Sequence, residues 1–366
     1  MIRFIKPFFD KSDLLAVAKV MTSGWVAQGP KVEEMEKAVS NYLKCKYVIS
    51  TTNGTTALVL ALRALGIMEG DEVIVPDFTF PATAISVSSV GATPVLVDVD
   101  LDSYNIKADY VRKAITKRTK AIMPVHQFGQ MCEMNDIMNL ADEYGLFIIE
   151  DAACALGAFA GPDAAGTIGD IGCFSLHASK GITCGCGGLI ATSNDTYAGS
   201  MYRFSSFGDE RAYRRSQNAE PFRFDPDAGN YKMSDITAAI VLSQLKKIEK
   251  LIAWRIKIAR EWDKVISEDD FLNKVIINKP RITKDHSHIY QSYVAVCKGG
   301  QRQGVFDYMK KKGFQCGIGT HQCSKYGLGV VNYPGNKNAE YLHNNAISFP
   351  RYYGLEVLKE WSKANK

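Results

Sequence analysis

The chain has 366 residues, 46% of them hydrophobic and 23% charged, with a formal net charge of +5 at pH 7. That length exceeds one ordinary domain and can bury a large core, so two domains are expected. The mild charge, without a long Lys/Arg run, argues against a nucleic-acid partner, and no apolar stretch reaches the roughly 18 residues a membrane span needs.

The chain starts MIRFIKPFFDKSD, where Lys6, Asp10 and Lys11 interrupt what a secretory signal would keep apolar. A cytoplasmic location is expected. Nine scattered cysteines agree with it, because a secreted framework would space them for pairing. Only Cys184 and Cys186 stand close together, and a single C-x-C lacks the second ligand pair of a structural zinc site, so no metal is expected.

Between about residues 45 and 195, strand-like and helix-like runs alternate, the pattern of an α/β domain whose largely parallel sheet is covered on both faces. The pattern predicts a helix over 53–66 ending on Gly66, a strand over 72–76 stopped by Pro76, a helix over 82–92 and a strand over 93–100. A helix near 108–116, a strand over 120–126, a helix over 134–145 and a strand over 146–153 follow. Two further strands, in GDIGCFSLH and GGLIATS, flank a glycine-rich turn. One long amphipathic helix is expected from Ser234 to about Val265. The remainder mixes strand and helix patterns, giving a large domain over 1–245 and a smaller α+β domain over 246–366.

Four local signals carry chemistry. TTNGTTAL (51–58) puts Gly54 and Thr55 at a helix start, where free N–H groups can hold a phosphate, although Asn-Gly-Thr is also an ordinary capping turn. DFTFPATA (77–84) offers Phe80 as a flat face, or as a core aromatic. IIEDAA (148–153) sets Asp151 at the carboxyl end of a strand, the edge where open α/β sheets bind ligands. FSLHASKGITCGCGG (174–188) places Lys180 at a strand end before glycines that permit close approach of backbone and ligand. Each has a bland reading by itself. Together they describe a pyridoxal phosphate site, which needs a lysine, a carboxylate for the pyridine nitrogen, a phosphate cradle and an aromatic platform.

These residues, with SGWVAQGPKVEEMEKAVSNYL (23–43) and GNYKMSDITAAI (229–240), resemble the DegT/DnrJ/EryC1/StrS family of nucleotide-sugar aminotransferases. The resemblance runs over essentially the whole chain. It implies the fold type I (aspartate aminotransferase) architecture, with pyridoxal 5′-phosphate as cofactor and its pyridoxamine form as intermediate. Lys180 would bind the cofactor covalently and Asp151 would pair with the pyridine nitrogen. Phe80 would stack on the ring, and Gly54, Thr55 and Ser175 would hold the phosphate.

Asn230 matches a residue that reaches the phosphate from the neighbouring subunit, implying a homodimer with shared active sites. Trp25, His321 and Tyr326 are candidate sugar contacts, and DERAYRRS (209–216) is a candidate for a diphosphate. The implied reaction moves an amino group from L-glutamate to a keto group of a nucleotide-linked, 4-keto-6-deoxy sugar, for surface polysaccharide or glycan synthesis. A dehydratase of the same family would carry His at the position of Lys180. A cysteine desulfurase would place His directly before the lysine, where Ser179 stands, and a silent cofactor-binding regulator would not need both Lys180 and Asp151. Cys154 departs from the family's usual His, Gln or Glu, and Cys186 from a frequent acidic residue.

Overall fold

The computed structural model describes residues 1–208, 224–226, 228–282, 285–331 and 335–365. The basic run 209–216 lies outside them. Seven strands form the central sheet: β1 (Tyr47–Thr51), β2 (Glu72–Pro76), β3 (Thr93–Val97), β4 (Thr119–Ile122), β5 (Phe147–Asp151), β6 (Ile171–Ser175) and β7 (Gly188–Thr192). Their order is β1-β7-β6-β5-β4-β2-β3. The run from β6 to β3 is parallel, whereas β7 is antiparallel to both β1 and β6. Short apolar strands such as EVIVP are buried along their whole length because helices cover both faces.

One face packs Val95, Ile122, Ile148 and Phe174 in a core shared with α2 (Pro30–Leu43); the other packs Ile49, Val73, Ile149 and Cys173 against α3 (Gly54–Ala64). Helix α3 begins at a capping box: Asn53 accepts the Thr56 N–H at 2.9 Å, and the Asn53 N–H donates to the Thr56 hydroxyl at 3.2 Å. These contacts fix the helix start at the carboxyl edge of the sheet.

Two expectations need correction. The strand expected over 93–100 stops at Val97, because Asp98 is used as a cap: its carboxylate accepts the Asn338 and Ala339 N–H groups at 3.1 and 2.8 Å, at the start of helix Lys337–Asn345. The long helix is two helices, Asp235–Leu245 and Ile248–Glu268. Lys247 leaves helical geometry (φ −111°, ψ 0°), and its ammonium is held by Asp10 at 3.0 Å and Asp13 at 2.8 Å.

A four-stranded antiparallel sheet follows: β8 (Ile276–Asn278), β9 (Tyr293–Cys297), β10 (Gly317–Ile318) and β11 (Ala346–Phe349), in the order β8-β9-β11-β10. The helix Ile248–Glu268 serves both cores. Its first turns join the large core through Ile248, Leu251 and Ile252, and its later turns join the small one through Ile258, Trp262 and Ile266. Trp262 is fully buried against Phe314, Phe349 and Trp361, and its indole N–H donates to the Pro350 carbonyl at 2.9 Å. Trp262→Ala is expected to cost about 4 kcal/mol, measured as a lower urea midpoint at unchanged m-value. Among the described residues no helix is long and apolar enough to cross a membrane.

Candidate active site

A cleft of about 440 Å³ opens where the carboxyl ends of β5 and β6, the start of α3 and the first residues after β11 converge. Gly54, Thr55, Phe80, Asp151, Ser175 and Lys180 all line it. Six residues scattered over 127 positions of sequence are thus brought to one site by the parallel connections of the sheet.

Strand register explains part of this convergence. Thr51 on β1 pairs with Gly188 on β7, and Gly188 pairs with Ser175 on β6, so three strands end in line. The close fit requires glycine: a Cβ on Gly188 would lie 2.3 Å from the Asn53 carbonyl oxygen, and one on Gly54 would lie 2.9 Å from Ser175 Cβ. The first turn of α3 carries N–H groups without helical partners. Asn53 takes that of Thr56, and the neighbouring Gly54 and Thr55 line the cleft beside Ser175.

Asp151 ends β5 and is buried, at 4% exposure. Its Oδ2 accepts the Thr83 hydroxyl at 2.8 Å and its Oδ1 accepts the Ala153 N–H at 3.1 Å. Burial pushes its carboxyl above the ordinary range, against the Thr83 and Ala153 bonds and the positive charge of Lys180. Among the described residues no cationic group lies in salt-bridge contact with it. The backbone of Asp151 is pinned by the Pro124 carbonyl at 2.9 Å and the His126 N–H at 3.1 Å.

His126 is itself fixed. Its Nδ1 accepts the Cys132 N–H, which leaves its Nε2–H to donate to Glu150 at 2.8 Å. Glu150 also accepts three backbone N–H groups, from Gly166, Ile168 and Gly169. Burial opposes its charge, but His126 and these donors outweigh burial and hold its carboxyl below the ordinary range.

The placement of Lys180 differs from the strand end expected from sequence. Strand β6 stops at Ser175, and Lys180 sits five residues later on a turn. The flanking chain is tied back on itself by Leu176 N–H to the Gly187 carbonyl (2.8 Å) and Ala178 N–H to the Gly185 carbonyl (3.0 Å). Arg255 braces the turn from behind, donating to the Lys180 and Gly181 carbonyls at 2.9 and 2.7 Å. The Lys180 ammonium donates to Cys154 Sγ at 3.1 Å.

Phe80 is 64% exposed on the cleft, with His321 edge-on at 6.2 Å and Tyr326 at 5.8 Å from His321. These rings meet at the mouth, although His321 and Tyr326 do not line the cleft itself. Trp25 lies outside it, its indole N–H donating to the Gln28 carbonyl at 3.3 Å. Asn230 is exposed, outside this chain's own cleft, and bridges Ser206 through its backbone. Cys184 and Cys186 are outside too; the Cys184 thiol donates to the Cys186 carbonyl and burial pushes it up to about 12.

Sequence reasoning missed Thr83, Gln291 and Arg351. Thr83 stands one helical turn beyond Phe80, a spacing that could have marked it. Nothing local in ISFPRYYG marks Arg351, which is delivered by the distant β11.

The match to known proteins follows this geometry. Residues 7–358 match the model of the DegT/DnrJ/EryC1/StrS aminotransferase family. The chain belongs to this family. It is 39% identical over 291 residues to the GDP-perosamine synthase of Caulobacter vibrioides, covering 78% of this chain and 75% of that protein. A DegT DnrJ EryC1 StrS aminotransferase from Brucella abortus superimposes with a TM-score of 0.85 at 30% identity, over 96% of this chain and 93% of that one. Spr1654 of Streptococcus pneumoniae, in its pyridoxal phosphate (PLP) form, gives 0.88 at 25% identity, over 99% and 96%. The fold type I architecture expected from sequence is therefore the observed one, and the protein is an aminotransferase.

Proposed function

We propose that this aminotransferase carries pyridoxal phosphate in the cleft and moves nitrogen from L-glutamate to a keto group of a nucleotide-linked sugar, a 4-keto-6-deoxyhexose. The single observation that carries the reading is the meeting of Lys180, Asp151 and the start of α3 in one cleft. The residues fit the cofactor. Asp151 is a buried carboxylate without a cation in contact among the described residues, which a protonated pyridine nitrogen would supply, and the close approach of Gly54 to Ser175 leaves backbone N–H groups for a phosphate.

When bound, the cofactor supplies an electron sink for the carbon that loses its proton. The protein's own groups do the rest. Lys180 holds the cofactor and then moves the proton with its Nζ, being tethered by a turn that Arg255 keeps rigid. Asp151 keeps the opposed nitrogen cationic, and Thr83 and Ala153 orient its two oxygens. Gly54, Thr55 and Ser175 hold the phosphate, and Phe80 covers the ring face. His321 and Tyr326, grouped with Phe80 at the mouth, bear on the sugar nucleotide, with Trp25 completing that surface in a homodimer. Asn230, exposed and outside its own cleft, serves the partner's phosphate in the same dimer. Division into a domain over 1–245 and one over 246–366, and a cytoplasmic location, belong to this reading.

A panel of nucleotide-linked keto sugars tests it. The pyridoxamine-loaded protein should regain the absorbance of its pyridoxal form with one of them and yield an amino sugar. A product that has lost a hydroxyl instead would establish the dehydratase reaction, and no response to any sugar would overturn the substrate class.

A further inference from the structure

Arg351 follows the end of β11 and lines the same cleft as Lys180 and Cys154. It is 8% exposed. Its Nε donates to the Gln291 carbonyl and its Nη1 reaches Ser348 Oγ at 3.4 Å, which fixes the plane of the fork. Gln291 in turn donates to the Ser179 carbonyl at 2.8 Å, so the guanidinium and the lysine turn are parts of one braced unit. Phe4 lies against the fork, with its ring centroid 4.9 Å from Cζ.

What this fork lacks is an anion. Among the described residues no carboxylate lies within salt-bridge distance of Arg351, and Arg255, close behind, has a buried Nη1 without any partner. Cys154 lines the cleft with the guanidinium and is close enough to act on it electrostatically, but it is not a carboxylate. Burial, and after it the repulsion of Arg255, pull the Arg351 guanidinium down to about 9 against the opposing effect of Cys154. A buried, unpaired cation is destabilising, so a fold that keeps one facing its reactive lysine has a ligand for it.

Resting on the aminotransferase reading above, we infer that Arg351 receives a carboxylate of the amino donor and orients the donor's amine toward the group held by Lys180. A planar guanidinium matches a carboxylate through two parallel bonds. The competing anion, the diphosphate of the sugar nucleotide, suits the site less well: it is bulky and solvated, whereas Arg351 is a buried lining residue of the cleft it shares with Lys180, and the rings of Phe80 and Tyr326 are exposed.

The two half-reactions separate these possibilities. In the holoenzyme with Arg351→Gln, the glutamate concentration giving half-maximal conversion to the pyridoxamine form should rise about 10- to 100-fold, the loss of a charge-assisted pair. Amination of the keto sugar by the preloaded pyridoxamine form should be affected at least about tenfold less, and Arg351→Lys should recover part of the glutamate response. An unchanged glutamate response, or a larger loss in the sugar half-reaction, overturns the assignment.

Should Arg351→Gln fail to fold, the wild-type holoenzyme still decides. Glutarate should compete with glutamate and perturb the cofactor spectrum, and glutaramide should do neither; equal effects overturn the assignment. If the wild-type protein accepts nitrogen from no amino acid, the aminotransferase reading of the cleft falls instead.

Discussion

Lys180→Ala is expected to leave a folded protein whose turnover is lower by about 10³-fold or more, the scale of a lost proton-transfer group combined with a lost covalent anchor. The fold should survive because the turn is held by the backbone N–H groups of Leu176 and Ala178 and by the Arg255 guanidinium on two carbonyls, none of which involves the lysine side chain. The side chain itself donates to Cys154 Sγ. Borohydride treatment followed by peptide mass spectrometry should place the reduced cofactor on Lys180 in the wild type and nowhere in the variant. A variant that turned over a keto sugar with glutamate at near wild-type rate would remove Lys180 from the chemistry.

Asp151→Asn should lower the rate by about 10²- to 10³-fold, the usual effect of removing one preorganised charge from a water-poor site. The amide preserves shape and a partner for Thr83, so the loss isolates the charge. Stability should move the other way in the cofactor-free protein. Burial raises the folded-state pKa of Asp151 above its unfolded value, so the folded chain binds the extra proton more tightly. Its contribution to stability is present below the ordinary carboxyl pKa and is lost as pH rises through the folded value. Cofactor-free Asp151→Asn should therefore melt above the wild type at neutral pH, with the gap closing in acid. Adding cofactor should reverse the order at neutral pH, because the carboxylate then has its cation. Thermal scans at two pH values, with and without cofactor, measure this. An Asn variant less stable than wild type in all four conditions would mean that Asp151 is held by its protein bonds alone.

The cradle was the most legible part of the site. Asn53, Gly54 and Thr55 announce a helix start in sequence, and the capping box at Asn53 and Thr56 forms as local chemistry dictates. Asp151 was legible because an apolar run ending in acid marks the carboxyl edge of a strand. Lys180 was legible as a residue but not in its setting: the period-2 pattern does not show that β6 ends at Ser175, since the hydrogen bonds from Leu176 to Gly187 are made across a loop. The break at Lys247 was hidden for a similar reason. Its helical propensity is good, and its departure from the helix is tied to Asp10 and Asp13, which lie more than 230 positions away.

By itself, then, the chain specified its family, its alternating α/β order and the four residue types that a pyridoxal phosphate site requires, because these are encoded in short runs whose periodicity and caps act locally. Tertiary structure alone decided that these runs end at one cleft, that Thr83 and Ala153 orient Asp151, and that Arg351 shares the cleft with Lys180 without a carboxylate partner among the described residues. Such relations arise from strand register and from the packing of β11, whose Ala346 joins a core of the central sheet, and no local window of sequence contains both partners.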